Sequence, residues 1–158
     1  MIMAETDARA AVVASARRWI GTPYHHMADV PGMGVDCLML LVRVYGGLGL
    51  IPAVDPRPYP QYWHLHRSEE RYLSGVLDHA REVAEPGPGD VVLWRVGRTF
   101  SHAGIVTVWT DRERRVVHAY ARARYVRESD LLAGSELTDT RRHPRRFFSP
   151  WAGRPMAV

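Results

Sequence analysis

The sequence predicts an α+β domain in which N-terminal helices pack on a C-terminal antiparallel β-sheet. Three observations predict it. Apolar residues recur at helical spacing up to about residue 80, and from Pro86 the texture changes to short β-branched runs between turn residues. No repeat or low-complexity linker divides the 158 residues, of which 46% are hydrophobic, so residues 1–158 are expected to form one domain around one core.

The first helix is expected from about Asp7 to Ile20, capped by Thr6 or Asp7, with Val12, Ala16, Trp19 and Ile20 as its apolar stripe and Gly21 and Pro23 as its stop. The glycine- and proline-marked stretch GTPYHHMADVPGMG then reads as a loop too irregular for an element. Asp36 occupies an N-cap position before CLMLLVRVY, and Gly46 and Gly47 end this second helix. Arg43 is its only charge, so it is expected to be central and packed against the sheet. Four prolines between residues 51 and 60 enforce an extended loop, and residues 69–80 form a third, amphipathic helix. In the second half, VVLWRV, HAGIVTVW and RVVHAY are strands, with GRTF and TDRER as connections. RYVR reads as a fourth strand, SDLLAG as a short helix and RRFFSPW as a terminal strand or arm.

Composition narrows the function. The chain has one cysteine, so no intramolecular disulfide framework exists and the thiol is either packing or chemistry. Glu5 and Asp7 stand where a secretory signal carries basic residues, and no run approaches the ~20 apolar residues of a membrane span, so synthesis and folding in the cytoplasm are expected. All 21 basic residues are arginine, a bias that reflects genome composition, and the pI is about 9.6. These arginines are dispersed over separate segments with no aromatic register between them, which argues against nucleic acid as a partner.

Cys37 falls in the first turn of the second helix, where the helix dipole favours a thiolate. Two of eight histidines, His102 and His118, lie in strands joined by a tight charged turn, where pairing register can bring them together on one face. If the cysteine helix packs on that face, the three residues have the geometry of nucleophile, base and orienter. The same residues could instead form a three-ligand zinc site, without a CxxC or HExxH pattern to support it. Otherwise no cofactor is expected. His25 and His26 could line the cleft but, lying in a loop, read as solvated residues, and His64, His66, His79 and His143 have no partner that the sequence suggests. The run PRPYPQYWHLH, residues 56–66, reads either as a lid or as a surface loop pinned by its aromatics.

Taken in order, GTPY, VDC opening a helix, PGD before a strand, SHAGIV and VVHAY resemble the NlpC/P60 family of papain-like cell-wall cysteine peptidases, over roughly two thirds of the chain from Gly21 to Tyr120. The resemblance implies a papain-like fold with Cys37 as nucleophile, His102 as base and His118 as orienter. It implies that Tyr24 helps to bind the oxyanion and that Asp36, besides capping the helix, meets a substrate ammonium group. Where many members have DCSG this chain has DCLM, which removes a hydroxyl from the substrate side. The form WIGTPYHH…GVDCLMLLVRVY is similar to the branch found in phage tails and gene transfer agents, which implies peptidoglycan and tail proteins as partners. The expected function is a peptidoglycan stem-peptide endopeptidase whose Cys37, primed by the dipole and His102, reacts with alkylators well below pH 8. A non-catalytic tail or hub component, or an acyltransferase with the same Cys–His chemistry, would fit the same residues.

Overall fold

Helix α1 spans Glu5–Arg17, so it starts before the expected cap and stops before reaching Ile20. Its N-cap is Ala4, which makes no side-chain hydrogen bond; Glu5 and Asp7 lie inside the first turn, where negative charge complements the dipole. Val12 and Ala16 are fully buried and Trp19 nearly so, whereas Ile20 is exposed beyond the last turn. The computed structural model describes residues 3–60, 71–132 and 136–152.

Gly21, at φ +89°, turns the chain where a side chain would be strained and lays GTPY along strand β7 (Tyr125–Asp130). Gly21 N–H donates to Val126 O at 2.9 Å, Val126 N–H to Thr22 O at 2.8 Å and Tyr24 N–H to Arg124 O at 2.8 Å. The stretch read as a featureless loop therefore has its own hydrogen-bond pattern. It also contains a small antiparallel pair, β1 (Asp29–Val30) and β2 (Gly34–Val35). Val35 N–H donates to Pro23 O and His25 N–H to Val35 O, which fixes the residue just before the Asp36 cap.

Helix α2 (Cys37–Gly47) begins as expected: Asp36 is extended at φ −105°, ψ 177° and accepts the Met39 N–H at 2.8 Å. Met39, Leu40 and Val44 are fully buried, and Arg43 reaches the surface to pair with Asp29. Helix α3 is Arg71–Leu77, shorter than expected; residues 69 and 70 lie outside the described residues, and at the other end Arg81–Val83 form strand β3.

The main sheet continues with β4 (Val91–Val96), β5 (Thr99–Trp109), β6 (Arg114–Tyr120) and β8 (Arg145–Ser149), in the order β3-β8-β4-β5-β6-β7, with every pair antiparallel. Thr99 and Phe100 pair with Val96 and Arg95, so most of the expected GRTF connection is strand and the turn is tighter. Ser129 and Asp130 continue β7 because they pair with Val116 and Arg115; they do not open the short helix expected there. A 3-10 turn comes later, at Glu136–Thr138, and residues 133 and 134 of that expectation lie outside the described residues. The arginine-rich C-terminal run, left open between strand and arm, supplies β8 between β3 and β4.

Alternation along these strands makes two apolar faces. Val91, Leu93, Ala103, Ile105, Val117 and Ala119 pack with α1 and α2, while Val92, Trp94, Val106 and Val116 pack on the opposite face with Leu131 and Leu137. Burial on both sides explains why VVLW and AGIV read as continuous apolar runs. Among the described residues, no helix is long and apolar enough to cross a membrane.

Candidate active site

Face alternation decides where the two histidines go. His118 lies between Val117 and Ala119, both in the helix-side core, so its side chain is on the other face. His102 pairs with Trp94 and stacks on it with ring centroids 5.2 Å apart, which puts it on that same far face. The condition that α2 packs on the histidine face is therefore not met. Helix α2 covers the opposite face, and the two sides come together past the end of the sheet.

A bulge makes that meeting possible. Trp94 pairs with His102 and Arg95 with Phe100, so Ser101 is the extra residue on β5. Such an insertion increases local twist and re-aims side chains, and bulges recur beside active sites. The Ser101 carbonyl faces α2 and accepts from the Cys37 thiol at 3.8 Å. Cys37, His102, Tyr24, Tyr72 and His143 line one cavity of about 350 Å³ that runs around this end of the sheet.

Expected contact between the histidines is present. His102 Nε2 and His118 Nδ1 lie 2.8 Å apart, one donating to the other, with His118 fully buried and His102 8% exposed. His102 Nδ1 is then the ring nitrogen left to exchange a proton in the cavity. Burial pushes His102 down to about 3, and positive charge on His143 acts in the same direction. His118 is held well below the usual histidine range by burial, then by His102 and Arg127. Both imidazoles are neutral at rest.

The thiol is neutral as well. Burial, followed by the adjacent Asp36 carboxylate, pushes Cys37 up to about 12, while hydrogen bonding from the Tyr72 side chain acts in the opposite direction. Burial and the Asp36 carboxylate thus act against the α2 dipole, which by itself favours the thiolate. A nucleophile here must be formed by moving the proton as the reaction begins.

Asp36 is 2% exposed and its acceptor capacity is spent within the chain. Oδ1 takes Met39 N–H; Oδ2 takes Met27 N–H at 2.7 Å and Tyr59 O–H at 2.5 Å. It caps α2, anchors the 51–60 loop and lines the cavity. His26, read as solvated, is half-buried in the cavity wall and bonds Tyr59 O through Nε2 at 3.0 Å; His25 is exposed as expected. Of the aromatic run at 56–66, Tyr59 and Pro60 line the cavity and residues 61–66 lie outside the described residues, as do His64 and His66.

Sequence reasoning missed two cavity residues. Tyr72 sits on α3, 4% exposed, and lines the cavity with Cys37, whose ionisation its side chain favours. The amphipathic pattern marks it as buried and gives no sign of that partner. His143 donates from Nδ1 to Arg95 O at 3.2 Å, a contact created by the β4–β8 pairing and invisible without it. Among the described residues, no group of three or more His, Cys, Asp or Glu side chains is placed to hold a metal ion.

No protein-family model matches the chain, and no curated protein matches it in sequence. Solved structures do. The chain is similar to the NlpC/p60 domain of the peptidoglycan hydrolase SagA, with a TM-score of 0.51 and 21% identity over 78% of this chain and 90% of that one. It is also similar to an N-acetylmuramoyl-L-alanine amidase from Bacteroides uniformis ATCC 8492, with a TM-score of 0.55 and 12% identity over 90% of this chain and 98% of that one. At these identities the likeness is one of fold, and it is the fold expected: helices on an antiparallel sheet in the NlpC/P60 arrangement.

Proposed function

We propose that the chain is a cell-wall cysteine hydrolase that cleaves an amide bond of peptidoglycan, with Cys37 as nucleophile, His102 as base and His118 as its orienting partner. One observation carries the reading: a helix-start cysteine and His102, itself hydrogen-bonded to the buried His118, open into the same cavity, in a fold shared with peptidoglycan hydrolases. The thiol proton passes to His102 Nδ1 as sulfur attacks the amide carbonyl. A C–S bond forms and the carbonyl oxygen becomes an oxyanion, within reach of the Cys37 N–H at the helix start and the Tyr24 hydroxyl. Collapse of this intermediate breaks the C–N bond, and the amine leaves with the proton from His102. Water then attacks the acyl-enzyme, giving its proton to His102, and the C–S bond breaks to restore the thiol.

The bond proposed is the D-glutamyl to diamino-acid link of the stem peptide, as the resemblance of GTPY, VDC, SHAGIV and VVHAY implies. The amidase among the fold neighbours favours a second bond, between muramic acid and L-alanine. Delivery to the wall by a phage tail or gene transfer agent is part of the proposal and rests on the form of the GTPYHH and DCLM segments. Purified protein and its Cys37→Ala variant, incubated with peptidoglycan and followed by mass spectrometry of released fragments, test the chemistry. New peptide termini made only by the unmutated protein support the hydrolase, and their identity separates the two bonds. Equal release by the variant would sink the mechanism.

A further inference from the structure

The histidine pair does not end at His118. Its second ring nitrogen, Nε2, lies 2.7 Å from the Oγ of Ser129 on β7, and Arg127 Nε donates to the same oxygen at 3.0 Å. Ser129 is 2% exposed and His118 fully buried, so water does not substitute for either partner. β7 is the edge strand of the sheet, and its register sets Arg127 opposite His118 and Ser129 opposite Val116. The three polar groups line up behind His102, away from Cys37.

Chemistry fixes the direction of this line. Once His102 has accepted the thiol proton it carries hydrogen on both ring nitrogens and can only donate to His118. His118 must then present a lone pair at Nδ1, so its single proton sits on Nε2 and needs a buried acceptor. Ser129 Oγ lies at hydrogen-bond distance from Nε2 and can be that acceptor. Its two lone pairs suffice for both donors, Arg127 Nε and His118 Nε2. We infer that Ser129, itself held by Arg127, is a positioning residue that keeps His118 in the Nε2–H tautomer and so gives His102 a partner able to accept. This rests on the reading of Cys37 and His102 as nucleophile and base.

The other groups facing His118 do not replace Ser129. Tyr120 stacks on the ring at a centroid distance of 5.2 Å, and Trp94 lies against it at 5.7 Å, both as ring contacts. Burial first, then His102 and the Arg127 guanidinium, disfavour a second proton on His118, so the orienter stays neutral while His102 charges. Without the hydroxyl, His118 recovers a buried bond by moving its proton to Nδ1 and donating to His102 Nε2. That leaves hydrogen on His102 Nδ1, where the thiol proton should go.

Nitrogen-15 NMR of the histidine rings, on the full chain without substrate, reads the tautomer directly. The wild-type protein should show His118 protonated on Nε2, and Ser129→Ala should move that proton to Nδ1. Ser129→Thr, which keeps the oxygen, should restore the wild-type signature; it also serves if the alanine variant does not fold. Turnover of Ser129→Ala on peptidoglycan should fall about tenfold to a hundredfold in kcat with KM little changed, the effect of leaving one buried donor without its acceptor. His118 found protonated on Nδ1 in the wild-type protein, or a Ser129→Ala spectrum identical to it, overturns the inference. If the tautomer shifts as expected while the wild-type protein releases nothing from peptidoglycan, the positioning role stands and the proposed substrate fails.

Discussion

The two faces of the central strands use alternate residues of the same sequence for opposite purposes. On the helix side, Leu93, Ala103, Ile105, Val117 and Ala119 are fully buried against α1 and α2 and carry no polar atom beyond the backbone. On the far side Trp94, His102 and His118 share the surface with Ser129 of β7, and the polar atoms of His102, His118 and Ser129 bond one another. At these positions the helix side is wholly apolar; the far side also buries Val92, Val106 and Val116 but adds two neutral imidazoles in a line that ends at a serine. A register slip of one residue would exchange them, which is why the hairpin pairing matters more to this protein than any single side chain.

The largest effect that tests this division is at the reacting atoms. Cys37→Ala and His102→Ala should each reduce peptidoglycan cleavage by at least about a thousandfold. Neither should abolish folding, because Cys37 is a half-buried residue at the margin of the helix-side core and His102→Ala leaves the apolar residues of both clusters in place. Circular dichroism with matched thermal melts checks the second half; loss of the folded spectrum in Cys37→Ala would mean that the thiol belongs to the packing.

Neighbouring residues on β6 give the sharper contrast. Val117→Ala removes two buried methyl groups from the helix side and should cost about 1–3 kcal/mol of stability with kcat nearly unchanged. His118→Ala, one residue along, should lower kcat by about a hundredfold through a misdirected His102. Denaturant unfolding and steady-state rates on both variants separate them. Equal losses of activity would erase the distinction between the faces.

Acid separates the faces without mutation. His102 and His118 are both neutral when folded and bind protons only when released, so the unfolded state takes up more protons below its ordinary histidine value near ~6.5. Their contribution is fully present above that pH and is lost as pH falls, by up to about 1.4 kcal/mol per unit for each histidine. Between about pH 6.5 and 5 the carboxylates Glu82 and Glu128, lowered by Arg146 and Arg17, are still ionised and do not contribute. Urea midpoints over that window should therefore fall with pH, and His118→Asn should roughly halve the slope. An unchanged slope would mean that His118 is already charged in the folded protein.

Much of this was legible in the sequence, for stated physical reasons. The Asp36 cap, the all-round apolar α2 and the VVLW and AGIV strands follow from capping and periodicity, and the His102–His118 contact follows from two strands and a short turn. What could not be read was produced by pairing at a distance. The Ser101 bulge arises only when β4 and β5 align, and the His143 contact with Arg95 only when β8 docks on β4. The face that α2 covers was left as a condition because hairpin register brings two histidines together without saying which side the helix will take. Ser129 was read as part of a short helix, since SDLLAG has a cap-like start, and β7 pairing overrides that local preference.

Tyr72 offers the smallest effect and the closest test of how the faces communicate, because it is a helix-side residue that touches the chemistry. Its side chain opposes the upward push of burial and Asp36 on the Cys37 thiol. Tyr72→Phe keeps the packing of α3 and removes only the hydroxyl, so stability should change by less than about 1 kcal/mol. The thiolate loses a donor and becomes harder to form. Alkylation of Cys37 by iodoacetamide, followed from about pH 7 to 11, should already be slow in the wild-type protein because the thiol is neutral. In the variant it should slow a further ~3- to 10-fold at any pH in that range, the worth of one bond to a developing anion. If Tyr72→Phe instead speeds alkylation, the tyrosine shields the thiol and does not support it. The helix side would then act on the reaction by restricting access, with the far face alone supplying the charge.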